Sequence, residues 1–296
     1  MKKFNIYKKK IYSPKTFLVI NIFFFLFIIN QKKSYYLLSK NPKISVFLPI
    51  YNKANYLFRS IGSIQNQTLK NIEIVAINDG STDNTLGVLK KLAKKDSRIK
   101  IINNDRNHGL LYSRAMGIIN STGEYVMNLD PDDKFSDNNS LETLDNKTKK
   151  DNLDLIIFLI KRIPSNEREK NLTLKENKFQ FLNKDYRITN KLIRRKILLK
   201  AYKFFEIKIY GNKWNFHEDN IWNILVRVYA KKTLNLSKFI YIYKRNNESL
   251  NLQKGHLLEF KNRISRTKFL IKIIEKYKNN SIIYLYNYYW FYKDIL

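Results

Sequence analysis

Tyr125-Val126-Met127-Asn128-Leu129-Asp130-Pro131-Asp132-Asp133 carries a short apolar run directly into three carboxylates. A run of this length, bounded by a proline-containing acidic turn, reads as a buried strand from Tyr125 to Leu129 that ends at Asp130. Three like charges so close repel one another unless a cation or hydrogen bonds compensate. Hard divalent cations want oxygen ligands, and Mg²⁺ or Mn²⁺ takes one or two of them from protein and the rest from phosphates and water. Taken alone, the turn could equally be a solvated loop. Its position at the end of an apolar strand favours the metal.

Upstream of the turn, strand and helix patterns alternate. Ile44 to Leu48 is a compact apolar strand, expected to stop at Pro49. Tyr56 to Ile64 has helical spacing (Leu57, Ile61, Ile64), and Ile72 to Ile77 is a second buried-type strand. Asn84 to Lys95 reads as a helix with Leu86, Leu89 and Leu92 on one face. Ile99 to Ile102 is a short strand, and Leu110 to Ile119 a helix between Gly109 and Gly123. Asp154 to Ile160 is a strand beyond the turn. Such alternation implies a mainly parallel sheet with helices on both faces, and in these sheets ligands sit at the carboxyl ends of the strands. Tyr51 and Asn52 follow the first strand, Asp79 the second, and Asp130 and Asp132 a later one, so all fall on one edge.

Two more polar clusters matter. In Asp79-Gly80-Ser81-Thr82-Asp83-Asn84-Thr85, Gly80 allows a tight turn and Ser81, Thr82 or Asp83 can cap the following helix. A carboxylate held there can also accept a hydrogen bond from a nucleobase N–H. His217-Glu218-Asp219-Asn220 precedes a helical pattern of Ile221, Trp222, Leu225 and Val228, where an acidic first turn is favoured by the helix dipole alone. His108 and His217 are candidate ligands, although single histidines more often serve packing or ordinary hydrogen bonding. Past residue 161 the pattern loosens. Thr189 to Tyr202 reads as a basic amphipathic helix, Asp219 to Val228 as another, Phe239 to Lys244 as a strand and Leu257 to Tyr277 as a long helix. The Tyr284 to Tyr292 tail is either a packed helix or a membrane-facing patch.

The chain has 296 residues, enough to bury a core, and carries a formal net charge of +31. Such charge suits nucleic acid or an anionic membrane. Lys, however, is scattered through helices, loops and termini alike, Asn is similarly abundant, and no Arg-rich arm or RNA-binding signature accompanies it. Compositional drift is the preferred reading, with no specific nucleic-acid partner. Cysteine is absent, which excludes disulfides, thiolate metal sites and cysteine nucleophiles. At the N-terminus Lys2, Lys3, Lys8, Lys9, Lys10 and Lys15 precede the apolar run Phe17 to Ile29, closed by Lys32-Lys33. The run is shorter than the roughly 20 residues of a full span, and no small-x-small cleavage site follows. A single N-terminal signal anchor, with its N-terminus inside, is the expected membrane attachment, and a membrane-surface helix is the alternative. Asn-x-Ser/Thr sequons occur at Asn66, Asn120, Asn138, Asn146, Asn171, Asn235, Asn247 and Asn279, and matter only if the domain is lumenal.

Together these segments resemble family 2 of the inverting glycosyltransferases, with the GT-A fold. The resemblance begins at Ile44-Ser45-Val46-Phe47-Leu48-Pro49-Ile50-Tyr51-Asn52 and includes Ser63-Ile64-Gln65-Asn66-Gln67-Thr68, Asn78-Asp79-Gly80-Ser81-Thr82-Asp83 and Asn107-His108-Gly109-Leu110 with Arg114-Ala115-Met116-Gly117. It continues through Gly123-Glu124-Tyr125-Val126 to Leu129-Asp130-Pro131-Asp132-Asp133. A weaker likeness runs through Asn190-Lys191-Leu192-Ile193-Arg194-Arg195, Glu218-Asp219 and Tyr243-Lys244-Arg245 before Ser249.

The resemblance implies a Rossmann-like α/β domain at residues 41–250, with a nucleotide-sugar half (41–160) and an acceptor half (161–250). Residues 1–40 would be the basic segment and anchor, and 251–296 a helical extension. It further implies that Pro49, Tyr51 and Asp79 form the nucleoside pocket, with Arg114 near the donor. Asp130 would lie on the ribose and metal side, Asp132 would ligate Mn²⁺ or Mg²⁺, and Asp219 would be the general base; Asp133 receives no role. The expected reaction is inverting transfer of a sugar from a nucleoside diphosphate, a UDP-sugar foremost, to an acceptor hydroxyl on a glycan, lipid or protein. The rivals are an inactive nucleotide-sugar-binding or scaffold homologue, a nucleic-acid binder driven by charge, and a nucleotidyltransferase. The last would need a Gly-rich triphosphate cradle that Leu48-Pro49-Ile50-Tyr51-Asn52 does not supply.

Overall fold

The computed structural model describes residues 42–163, 188–209 and 218–244, all within the unit Pro42–Leu296. The run 17–29, the helix expected at 257–277 and the Tyr-rich tail lie outside these residues. Among the described residues no helix is long and apolar enough to cross a membrane.

The elements follow in the order β1 (Ile44–Ile50), α1 (Leu57–Gln65), β2 (Ile72–Asn78), α2 (Thr85–Lys95), β3 (Ile99–Asn103), α3 (Leu110–Asn120), β4 (Tyr125–Asn128), β5 (Lys134–Phe135) and α4 (Ser140–Asp151). Then come β6 (Leu155–Ile163), β7 (Lys191–Arg194), α5 (Arg195–Ile209), α6 (Glu218–Tyr229) and β8 (Thr233–Lys244). They build one sheet in the order β3-β2-β1-β4-β7-β6-β8-β5. The half from β3 to β4 is parallel throughout. The other half is mixed, with β7 antiparallel to both β4 and β6, β8 parallel to β6, and β5 antiparallel to β8. The sheet is therefore mixed rather than mainly parallel, with helices on both faces.

Side-chain alternation divides the core into two layers. Val46, Leu48 and Ile50 of β1 and Ile74 and Ala76 of β2 pack with Leu57, Ile61 and Ile64 of α1, Leu89 and Leu92 of α2 and Leu141 and Leu144 of α4. On the other face, Phe47, Val75 and Ile77 meet Leu111, Ala115 and Ile118 of α3, Ile197 and Leu198 of α5, and Trp222 and Leu225 of α6. Gly117 lets α3 lie close to the sheet: a Cβ there would be 2.4 Å from Phe47 Cδ2.

Several boundaries differ from expectation. Pro49 does not stop β1, which runs on through Ile50 with Pro49 paired to Ile77. Leu129 N–H donates to Phe47 O on the β4 side, and Asp79 N–H donates to Ile50 O on the β2 side. By alternation Pro49 faces the β4 side, beyond the last β1–β4 pair, Phe47 with Asn128, so its lack of an N–H costs no ladder bond. The span 189–202 is not one helix. Lys191–Arg194 is a strand wedged between β4 and β6, with Leu192 in one core layer and Ile193 in the other, and the helix begins only at Arg195. The strand expected from Phe239 starts at Thr233, where Leu234 and Leu236 alternate with exposed neighbours. Helix α4 was not foreseen, because only Leu141 and Leu144 of its large side chains are apolar and buried.

A bidentate ion pair closes the turn between α2 and β3. Arg98 Nε and Nη2 reach Asp96 Oδ1 and Oδ2 at 3.0 and 2.8 Å, and Gln65 Nε2 donates to Oδ2 at 3.1 Å from the end of α1. The Arg98 guanidinium, chiefly, holds the Asp96 carboxyl down to about 2. Because the folded value lies below the unfolded one, the stabilisation is complete above the unfolded pKa and fades as pH falls toward the folded one. Asp96→Asn should cost about 1–2 kcal/mol at pH 7. In denaturant titrations the gap between the two proteins should narrow as pH falls below about 4; a pH-independent gap would contradict the assignment.

Candidate functional site

The acidic turn leaves the sheet where β4 ends. Asp133 N–H closes it onto Asp130 O at 3.0 Å, and the chain passes at once into β5. The three carboxylates meet three different environments. Asp130 Oδ1 accepts from Asn128 Nδ2 at 2.8 Å and faces Arg114 Nη2 at 3.5 Å, while Asp130 N–H donates to the Tyr241 hydroxyl at 3.0 Å. Asp132 Oδ2 lies 3.3 Å from Lys53 Nζ, and the Arg59 guanidinium of α1 donates to the Asp132 carbonyl. Asp133 is buried, accepting from the Tyr241 hydroxyl on Oδ2 at 2.7 Å and from Lys244 N–H on Oδ1 at 3.0 Å. Burial, reinforced by the neighbouring carboxylates, pushes Asp133 well above the usual carboxylate range. Asp130 is also raised, by desolvation first, with Arg114 pulling the other way and Asp132 and Asp219 adding to the rise.

Asp79 stands at the end of β2 and is 3% exposed. Its Oδ1 accepts from Asn104 Nδ2 (2.8 Å) and His108 N–H (3.1 Å), and its Oδ2 from Gly109 N–H (2.8 Å). One carboxylate thus holds the loop that leads into α3. Gly80, at φ +63, lies under that loop, and a Cβ there would come within 2.3 Å of the Arg106 backbone carbon. The loops after β1 and β2 are laced together. Asn52, at φ 51, accepts from Thr82 N–H at 2.8 Å, while Asn52, Lys53 and Ala54 N–H donate to Ser81, Thr85 and Asp83. Tyr51 emerges beside them, 43% exposed. Pro49 is buried two residues back inside β1.

Arg114 draws the two halves of the chain together. It projects from α3, is only 3% exposed, and pairs Nη1 with Asp219 Oδ1 on the first turn of α6 while Nη2 faces Asp130. Asp219 is thereby placed beside the acidic turn. His108 is not aimed at the turn: its ring contacts Asp105 at 2.7 Å and stacks on Tyr112. His217 lies outside the described residues. The residues that sequence reasoning missed are Lys53, Arg59, Tyr241 and the structural role of Asp133. Tyr241 looked like one more apolar strand residue, and nothing local signals its hydroxyl contacts.

Among the described residues no three His, Cys, Asp or Glu side chains converge as a self-sufficient metal cage. Asp130 and Asp132 remain 30% and 20% exposed at the side chain. One or two partly exposed carboxylates, completed by phosphate and water, is the donor set Mg²⁺ or Mn²⁺ takes in nucleotide sites, so these residues fit such an ion.

Asp79→Asn would set an amide N–H₂ against backbone or side-chain donors. A cost of about 1–3 kcal/mol is expected, with faster hydrogen exchange at the His108 and Gly109 amides. Unchanged protection there would remove Asp79 as the anchor of the loop.

The chain resembles known glycosyltransferases in sequence and in fold. The chain is 36% identical over 187 residues to a cholesterol galactosyltransferase of Borreliella burgdorferi, across 62% of this chain and 48% of that protein. It is 31% identical over 227 residues to the glycosyltransferase GlyA of Streptococcus pneumoniae, across 71% and 32%. It therefore spans half or less of the length of these relatives. S. aureus TarS residues 1–349, in complex with UDP-GlcNAc, shares the fold with a TM-score of 0.62 at 20% identity, over 78% of this chain and 66% of that one. The mannosyltransferase PcManGT of Pyrobaculum calidifontis, in complex with GDP-Man and Mn²⁺, gives 0.55 at 12% identity, over 79% and 65%. The family description "Glycosyl transferase family 2" matches residues 45–207, more than half of the 296, and the chain belongs to that family.

Proposed function

We propose that this chain is an inverting glycosyltransferase that moves a sugar from a nucleoside diphosphate, with a UDP-sugar as the leading donor, to an acceptor hydroxyl. The observation that carries the reading is the Arg114 bridge, which sets Asp219 beside Asp130 on the same sheet edge as Asp79. Family membership and fold neighbours whose complexes hold UDP-GlcNAc or GDP-Man support it.

Each residue has a physical task in this reading. A carboxylate offers about four acceptor positions. Protein donors use three of those on Asp79, leaving one for a base N–H. Tyr51, exposed beside it, offers a face for the base, and Pro49 shapes the strand below. Asp132 would hold Mn²⁺ or Mg²⁺ with Asp130 on the ribose side, and such an ion would supply positive charge against the leaving diphosphate. Asp219 takes the proton of the attacking hydroxyl, oriented by Arg114. A single displacement with a positioned base needs no covalent intermediate, so the anomeric configuration inverts once. The acceptor, a glycan, lipid or protein hydroxyl, would be bound mainly by residues 161–250. Residues 17–29 would anchor the protein to a membrane as a single pass, with 251–296 as a further helical extension.

Donor hydrolysis across a panel of sugar nucleotides, with and without Mn²⁺ or Mg²⁺, is the first test. Asp219→Asn should lower transfer on the order of 10²–10⁴-fold while nucleotide affinity stays nearly constant. Unchanged turnover would remove Asp219 as the base. Asp132→Asn should weaken donor binding only when the metal is present. Donor affinity that is equal with and without chelator would sink the metal site, and binding without turnover on any donor would favour an inactive homologue.

A further inference from the structure

Tyr241 lies on β8, beyond the family match at residues 45–207, yet its hydroxyl touches the acidic turn twice. It donates to Asp133 Oδ2 at 2.7 Å and accepts from Asp130 N–H at 3.0 Å. A phenol has one proton to donate, and Tyr241 gives it to the turn. The contacted residues bracket Pro131 and Asp132. The same stretch of β8 also takes Asp133 Oδ1 through Lys244 N–H and pairs with β5 through Ile242 and Tyr241. Ser136, just after β5, adds bonds to the Phe239 and Ile240 carbonyls. The turn is thus hung between β4 and β8, and its two fixed points enclose Pro131 and Asp132, the latter held at its carbonyl by Arg59.

We infer that Tyr241 and Asp133 are positioning residues for the cation: the buried hydroxyl–carboxylate clamp fixes the backbone on both sides of Pro131 and Asp132, so that the Asp132 carboxylate would be held toward a bound cation. The inference rests on the reading that Asp132 holds a divalent cation. It goes beyond that reading by assigning the geometry of the site to a strand distant in sequence. A purely structural role for Tyr241 is the competing account, since the residue is fully buried. Tyr125 provides the contrast: it is equally buried, and its hydroxyl donates to Leu153 O at 2.7 Å, on β4 away from the turn.

The test measures Mn²⁺ affinity of the full chain in the presence of UDP, by the paramagnetic signal of free Mn²⁺, for wild type, Tyr241→Phe and Tyr125→Phe. Phe at 241 leaves Asp133 Oδ2 and Asp130 N–H without the hydroxyl. The Mn²⁺ dissociation constant should rise about tenfold or more, while UDP affinity in chelator is unchanged. Tyr125→Phe should lower the melting temperature comparably and leave Mn²⁺ affinity at the wild-type level. Wild-type Mn²⁺ affinity in Tyr241→Phe, or an equal loss in Tyr125→Phe, would overturn the clamp. If Tyr241→Phe does not fold, Asp133→Asn carries the same expectation and the same overturning result. A wild-type protein that binds no Mn²⁺ with UDP would instead overturn the cation reading itself, and the clamp with it.

Discussion

A guanidinium buried at the carboxyl edge of the sheet is the constraint on which the site depends. Arg114 is 3% exposed and faces carboxylates from two distant parts of the chain, Asp130 after β4 and Asp219 at the start of α6. A buried charge is tolerable only when it is paired. Placing Arg114 under the edge therefore obliges α6 to dock with its acidic first turn facing the acidic turn of the sheet. The close approach of α3 at Gly117 sets the depth at which that guanidinium sits.

The acidic turn then separates three chemically identical side chains by environment. Asp133 is buried and committed to β8, Asp130 is tied to Asn128 and Arg114, and Asp132 stays partly exposed beside Lys53. Desolvation raises both Asp130 and Asp133. A cation between the turn and a diphosphate would relieve the repulsion that the fold has concentrated there. The Lys53 ammonium near Asp132 is a smaller compensation of the same kind.

The parallel half of the sheet was legible because each of its strands is apolar and ends in a polar turn. Tyr51, Asp79 and Asp130 were placed on one edge by that rule alone, and the structure puts them there. The second half was harder. Lys191–Arg194 carries a helix-compatible pattern and becomes a strand only because β4 and β6 leave a slot for it. Pro49 read as a terminator, although the β1–β4 ladder ends at Asn128, which makes its lack of an N–H harmless. Asp79 read as part of a capped turn and, by resemblance, of a nucleoside pocket, and the structure also gives it a loop to hold. The role of Asp133 was invisible because its partners, Tyr241 and Lys244, lie more than a hundred residues away in an ordinary-looking strand.

The proposed donor site is one sheet edge, bounded by Asp79 and the acidic turn. A crystal structure of the protein with UDP and Mn²⁺, with data collected for manganese anomalous scattering, tests it directly. An anomalous peak is expected within coordination distance of the Asp132 carboxylate, about 2.0–2.3 Å for a hard divalent ion, with the uracil between Tyr51 and Asp79. Manganese and diphosphate bound anywhere else, with Asp132 still paired to Lys53, would contradict it.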